Sequence, residues 1–258
     1  MDNNLNTKSN KKTILLITLC WLAYATSYVG KLSYNANIDP IIDAFKVSKS
    51  QAGLVGSFFF FVYGAGQIIN GLLCKKYNVK YVIFISLIVA SIMNLCVVLV
   101  PSFSYIKYLW LINGAAMSFL WTSLIRLLSE TLNKKDVNKA IVAMGTTVAT
   151  GTCIVYGLSA LFVSINYKIT FYIAFALIFI VALIWLCSYN RLVNPLKAER
   201  LQETLTTENL SNNKQTIKTG GLLALISVLA CFAIANNFVK DGLTTWTPKI
   251  LKEIYSSL

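Results

Sequence analysis

The sequence predicts an all-α membrane protein that crosses the bilayer several times, and three observations predict it. Of its 258 residues, 56% are hydrophobic and only 13% charged, about half the charge of a soluble domain. Seven stretches contain no Asp, Glu, Lys or Arg: 13–30, 51–74, 81–106, 108–125, 140–167, 169–190 and 219–239. Each reaches the roughly 17 residues that the shortest spanning helices need. The basic residues, finally, gather at alternate ends of these stretches.

That asymmetry orients the chain. Numbering the stretches as spans one to seven, fifteen Lys and Arg residues fall at the N-terminus and after spans two, four and six, and six fall on the other side. Positive residues are retained in the cytoplasm, so the N-terminus is expected inside a cell membrane. The net charge of +13 is thereby a topology signal, and no nucleic-acid partner is implied. Span one is too long for a signal-peptide core and six more follow it, so it reads as a retained helix. The expected organisation is a cytoplasmic N-terminus (1–12), six spans (13–189), a cytoplasmic linker (190–219) and a seventh span with its outer end (220–258). The linker is polar, with a short amphipathic helix expected from Pro195 to Leu205. Six spans, a long linker and a restart suggest a repeat architecture.

The first span carries the first candidate site. Tyr24, Tyr28, Lys31 and Asn35 stand at i, i+4, i+7 and i+11, on one helical face. In span two Tyr63, Gln67 and Asn70 share a face. The seventh span offers Asn236, Lys240 and Thr244 at helical spacing, and both lysines precede a proline by eight or nine residues. Taken alone, Lys31 is either a surface anchor whose ammonium snorkels to the headgroups or a ligand for an anion. Two such cations on equivalent spans favour a shared anionic ligand. Gly145, Ala149, Cys153 and Gly157 recur every four residues in span five, a small-residue stripe suited to helix packing. The adjacent threonines bond to local backbone or line a pathway.

Enzyme chemistry finds no support. The chain has no histidine, which removes the commonest general base, and it has no P-loop or zinc spacing. Its six cysteines lie in or at the end of apolar runs and read as small packing residues. No metal or cofactor is expected.

The stretch "NGLLCKKYNVK", from Asn70 to Lys80, resembles the signature loop of the major facilitator superfamily, with Gly71, Lys76 and Lys80 in place and Lys75 where an aspartate is usual. The segment around Tyr24, Tyr28 and Lys31, "NGAAMSFLWTSLIR" in span four and "FVKDGLTTWTPKILKE" from Phe238 look like the organophosphate:phosphate antiporters of that superfamily. Lysines 31 and 240 stand where that family has arginines, and Gln67 where some members have a lysine. The resemblance implies a six-helix N-terminal half plus the first helix of a second half. It also implies a secondary transporter exchanging a sugar phosphate or glycerol phosphate for phosphate by alternating access. Lys31, Lys240, Tyr24, Tyr28, Tyr63 and Gln67 would bind the substrate, and Gly71, Lys75, Lys76 and Lys80 would form the gating loop.

About twelve spans are expected of such a transporter, so the chain reads as a fragment, a truncated product, or one part of an assembly with a missing C-terminal half. Alone it is not expected to transport. Two rivals remain: a membrane sensor that binds a sugar phosphate without moving it, and a seven-helix receptor. The charge asymmetry opposes the receptor.

Overall fold

The structure, a computed structural model, describes residues 2–208 with the isolated positions Phe232, Val239 and Ile254, and it describes side chains over residues 10–202. The expected seventh span, with Lys240, and the linker beyond residue 208 lie outside the described residues. The chain divides into two compact units, Met1–Thr204 and Leu205–Leu258.

Six helices of the described region are long and apolar enough to cross a membrane, and they account for the six spans before the linker. The first span is α1 (Asp2–Ala36), followed at its far end by the short α2 (Ile38–Phe45). The second and third are α3 (Lys49–Leu73) and α4 (Val79–Leu99). The fourth is broken into α5 (Phe103–Ser118) and α6 (Leu120–Thr131); the fifth and sixth are α7 (Lys134–Asn166) and α8 (Lys168–Glu208).

Local chemistry sets most boundaries. Ser48 and Gln51 form a reciprocal capping box at the start of α3, satisfying two amides that the helix leaves unpaired. Asn78 accepts from the Lys80 amide (3.0 Å) and Asn133 from the Asp136 amide (2.9 Å). Span three stops at Leu99, two residues before Pro101, because the residue before a proline is pushed out of the helical region. The uncharged stretch to residue 106 is therefore not one helix. Span four begins at Phe103 and carries Lys107 inside its first turns. Residues 190–208, read as linker, continue span six as helix through Pro195, and the short helix expected from that proline is part of it.

Two apolar clusters hold the bundle. One joins α1, α4, α6, α7 and α8 through Leu16, Ile83, Leu124, Met144 and Trp185. The other joins Tyr34, Phe59, Trp110 and Phe171. Helices α1 and α7 approach closely at Gly151, where a Cβ would lie 2.5 Å from the Tyr28 Cβ and 2.6 Å from the Ala25 carbonyl oxygen. The expected packing stripe is on the opposite face of α7: Gly145, Ala149, Cys153 and Gly157 are all exposed. Thr147, Thr150 and Thr152 bond to their own backbone at 2.5, 3.0 and 2.7 Å, the local one of the two expected roles.

Candidate anion site between the first two spans

Lys31 does not reach for the surface. It is 6% exposed, and its ammonium sits over four aromatic rings: Tyr63 at 4.3 Å, Tyr28 at 5.0 Å, Phe60 at 5.1 Å and Phe59 at 6.0 Å to the ring centroids. Placing a lysine at the centre of a bilayer costs about 2.5–3.5 kcal/mol on insertion scales. A desolvated cation–π contact returns up to about 2 kcal/mol, so several such rings offset that cost and hold the charge in place.

The cage has two walls, one from each of the first two spans. On α1 the heptad-like spacing brings Tyr24, Tyr28 and Lys31 together as expected, with the Tyr24 and Tyr28 rings edge to face at 5.4 Å. On α3 Phe59 and Tyr63 are one turn apart and stack nearly parallel, 5.9 Å between centroids. The Tyr24 ring lies 4.7 Å from that of Trp121 on α6. Gln67 follows Tyr63 by one turn and is half-buried. Asn35, the last member of the α1 face, is buried with its Oδ1 toward Gly56.

Next to the helix crossing at Phe59 stands a buried amide. Gly114 on α5 lies against Phe59, where a Cβ would come within 2.8 Å of the Phe59 carbonyl oxygen. Its neighbour Asn113 is 0% exposed, and neither end of its carboxamide finds a hydrogen-bond partner among the described residues. Unsatisfied buried amides are rare, which makes Asn113 a candidate polar contact in the bundle interior.

At the α3–α4 turn the signature-loop residues separate. Gly71, Lys75 and Lys76 are exposed and Lys80 is half-buried. Asn70, in contrast, is fully buried and reaches across to the break in span four. Its Nδ2 donates to the carbonyls of Phe119 (3.1 Å) and Ser118 (3.4 Å). The Tyr77 hydroxyl donates to Asn70 Oδ1 and pairs with Ser123 Oγ at 3.0 Å. Arg126 lies 6.0 Å from the Tyr77 ring and pairs with Glu130 at 2.6 Å. Lys197, in the extension of α8, takes the other oxygen of Glu130 at 3.4 Å. The absent aspartate is thus not replaced within the loop; the ion pairs lie one helix away.

Sequence reasoning missed Phe59 and Phe60, because a run of four phenylalanines reads as lipid-facing. It missed the capping role of Asn70 because the break at Phe119 has no Pro or Gly to announce it. A cleft of about 370 Å³ lined by Phe45, Gln51, Phe103 and Lys107 shares no residue with the cage.

Comparison with known proteins bears on the family and the fold. The profile of the Major Facilitator Superfamily matches residues 20–257. The membrane sensor protein UhpC of Escherichia coli (strain K12) is 30% identical over 100 residues, 39% of this chain and 23% of that protein. A protein of Chlamydia trachomatis named "Probable hexose phosphate transport protein" is 26% identical over 116 residues, 45% of this chain and 25% of that protein. The matches thus span about a quarter of each relative's length. The crystal structure of a bacterial homolog to the human lysosomal transporter Spinster, inward-facing and unoccupied, has a TM-score of 0.60 at 18% identity, covering 67% of this chain and 42% of that one. At that identity the likeness is one of fold.

Proposed function

This chain belongs to the major facilitator superfamily, and from that premise we propose that it binds a small organic anion, a sugar phosphate or glycerol phosphate, as part of a secondary transporter. The observation that carries the reading is the caged Lys31. A lysine 6% exposed and ringed by aromatic faces puts a cation inside the bundle that an anionic partner can meet. A phosphate dianion is such a partner, since charge-assisted hydrogen bonds to an ammonium are about twice as strong as neutral ones. Tyr24, Tyr28 and Tyr63 would turn hydroxyls to the ligand's oxygens, and Gln67 would reach the sugar. With the N-terminus in the cytoplasm, Gly71, Lys75, Lys76 and Lys80 would form the inner gating loop.

Chemically, lysine differs from the paired arginines of the resembling family. A guanidinium offers a planar fork to two phosphate oxygens, whereas an ammonium is a point charge. The site is therefore expected to prefer charge over exact shape and to accept several phosphate esters. Sensing without transport is the second reading, carried by the relatives named membrane sensor.

The test is ligand-induced stabilisation of the purified chain in detergent. Glucose 6-phosphate, glycerol 3-phosphate and inorganic phosphate should raise its melting temperature in proportion to ln(1 + [L]/Kd), and glucose should not. The shift should vanish in Lys31→Gln. Equal shifts in the two proteins would overturn the role given to Lys31. Counterflow of labelled phosphate in proteoliposomes holding a full-length version then separates transport from sensing.

A further inference from the structure

The seam between α4 and α8 carries a second cationic site, unrelated to the cage. Lys80 begins α4, and its ammonium lies between two tyrosine faces, 5.4 Å from the Tyr81 ring and 5.8 Å from the Tyr189 ring. It donates to Asn190 Oδ1 at 3.3 Å. The Lys80 carbonyl accepts from Trp185 Nε1 at 3.1 Å, so backbone and side chain are both fixed against α8. Arg191 follows Asn190 and is exposed. Neither Lys80 nor Arg191 enters an ion pair among the described residues.

Below this head the seam is apolar and open to the outside of the bundle. On α4, Tyr81, Ile85 and Ile92 stand at i, i+4 and i+11 and are 52%, 56% and 41% exposed. On α8, Leu183 lies seven residues before Asn190, on the same side of the helix, and is 44% exposed. The seam closes further in, where Ser91 Oγ donates to the Phe175 carbonyl at 3.1 Å. From Tyr81 to Ile92 the rail runs about 16 Å at 1.5 Å per residue, close to half of a ~30 Å hydrocarbon core.

A fixed cation and an exposed arginine at the level where a span ends, above an apolar rail one leaflet long, match one kind of molecule. We propose that the α4–α8 seam is a binding site for a single anionic phospholipid. Its phosphate sits between Lys80, Asn190 and Arg191, and one acyl chain lies along Tyr81, Ile85 and Ile92. The tyrosines on either side of Lys80 hold it at headgroup level, the usual place of such rings. Charge decides between lipids: a zwitterionic headgroup brings its own cation beside Lys80 and Arg191, and an anionic one does not.

The experiment uses the full chain in phosphatidylcholine vesicles containing spin-labelled phosphatidylglycerol or spin-labelled phosphatidylcholine. The motionally restricted fraction of each reports association. The wild-type chain should prefer phosphatidylglycerol, and Lys80→Gln should lower that preference about five-fold, as ~1 kcal/mol per basic residue at an anionic surface requires. Lys80→Arg should retain it, which also distinguishes loss of the site from loss of the fold. Lys76→Gln, in the exposed turn, should leave it unchanged. An unaltered preference in Lys80→Gln, or an equal loss in Lys76→Gln, would show diffuse surface charge and overturn the site. Displacement of the labelled lipid by inorganic phosphate at matched ionic strength would do the same, because the ligand would then be free phosphate.

Discussion

Spans one and five are both long and apolar, yet they occupy opposite environments. In α1, 61% of the most apolar window is buried; in α7 the figure is 17%. The two helices also touch, at Gly151. What distinguishes them is where their polar groups bond rather than hydropathy. Span one carries Ser27, Lys31, Ser33 and Asn35, all buried, and each is matched by a neighbour: Ser33, for example, donates to Asn94 Oδ1 at 2.6 Å. In lipid a polar group needs a protein partner; span one finds one on another helix at Ser33, whereas Thr147, Thr150 and Thr152 of span five bond within their own helix. Span five buries one face, with Met144, Thr147, Gly151, Val155 and Ser159, and leaves the other exposed.

The contrast can be broken most strongly at Lys31. Lys31→Met should lower affinity for glucose 6-phosphate about ten- to a hundred-fold, the worth of a charged hydrogen bond at about 1.5–3 kcal/mol. The ligand-free melting temperature should hold or rise, since the desolvation cost of the ammonium disappears. A ligand-free chain that unfolds instead would assign Lys31 to structure.

Next comes the shared glycine. Gly151→Ala should destabilise by about 1–3 kcal/mol, because the new methyl meets the Ala25 carbonyl and there is no flexible side chain to yield. Denaturant titration in mixed micelles measures it. Asn70→Ala should cost about 1–2 kcal/mol by removing the bonds that tie span two to the Ser118 and Phe119 carbonyls and one of the two partners of the Tyr77 hydroxyl. Faster hydrogen exchange confined to residues 116–124 would identify the break as the place affected. The smallest effect belongs to the outer face of span five. Gly145→Ala and Gly157→Ala meet nothing within 4 Å among the described residues. They should be neutral or stabilise by up to about 1 kcal/mol through helix propensity. Clear destabilisation would mean that this face is covered.

Much of this was readable before any fold was known. Six spans, their order and the α1 face of Tyr24, Tyr28 and Lys31 follow from charge-free length and from 3.6-residue periodicity, which are local properties. The second wall of the cage was half legible: Tyr63 stood out as polar in an apolar run, while Phe59 did not. Phe58 and Phe61 are 44% and 75% exposed and Phe59 is 1% exposed. Composition cannot separate four identical neighbours. Only the crossing of α3 with α5, at Gly114, selects which of them turns inward.

The small-residue stripe of span five teaches the converse. Gly145, Ala149, Cys153 and Gly157 have the regular spacing of a packing face, but the helix turns Gly151 inward instead. A stripe states that close approach is permitted and leaves the partner open. By itself, then, the sequence determined how many stretches of the described chain are long and apolar enough to cross a membrane and which side chains share a face, because each depends on residues within a few turns of one another. The tertiary structure decided what each face meets. It closed rings from α1 and α3 over Lys31, sent Asn70 to cap a break 48 residues away in the chain, and set Lys80 in the seam with α8. Those outcomes depend on pairs of residues whose contact has no local signature, since lipid and protein interior are equally apolar and both accept the same side chains.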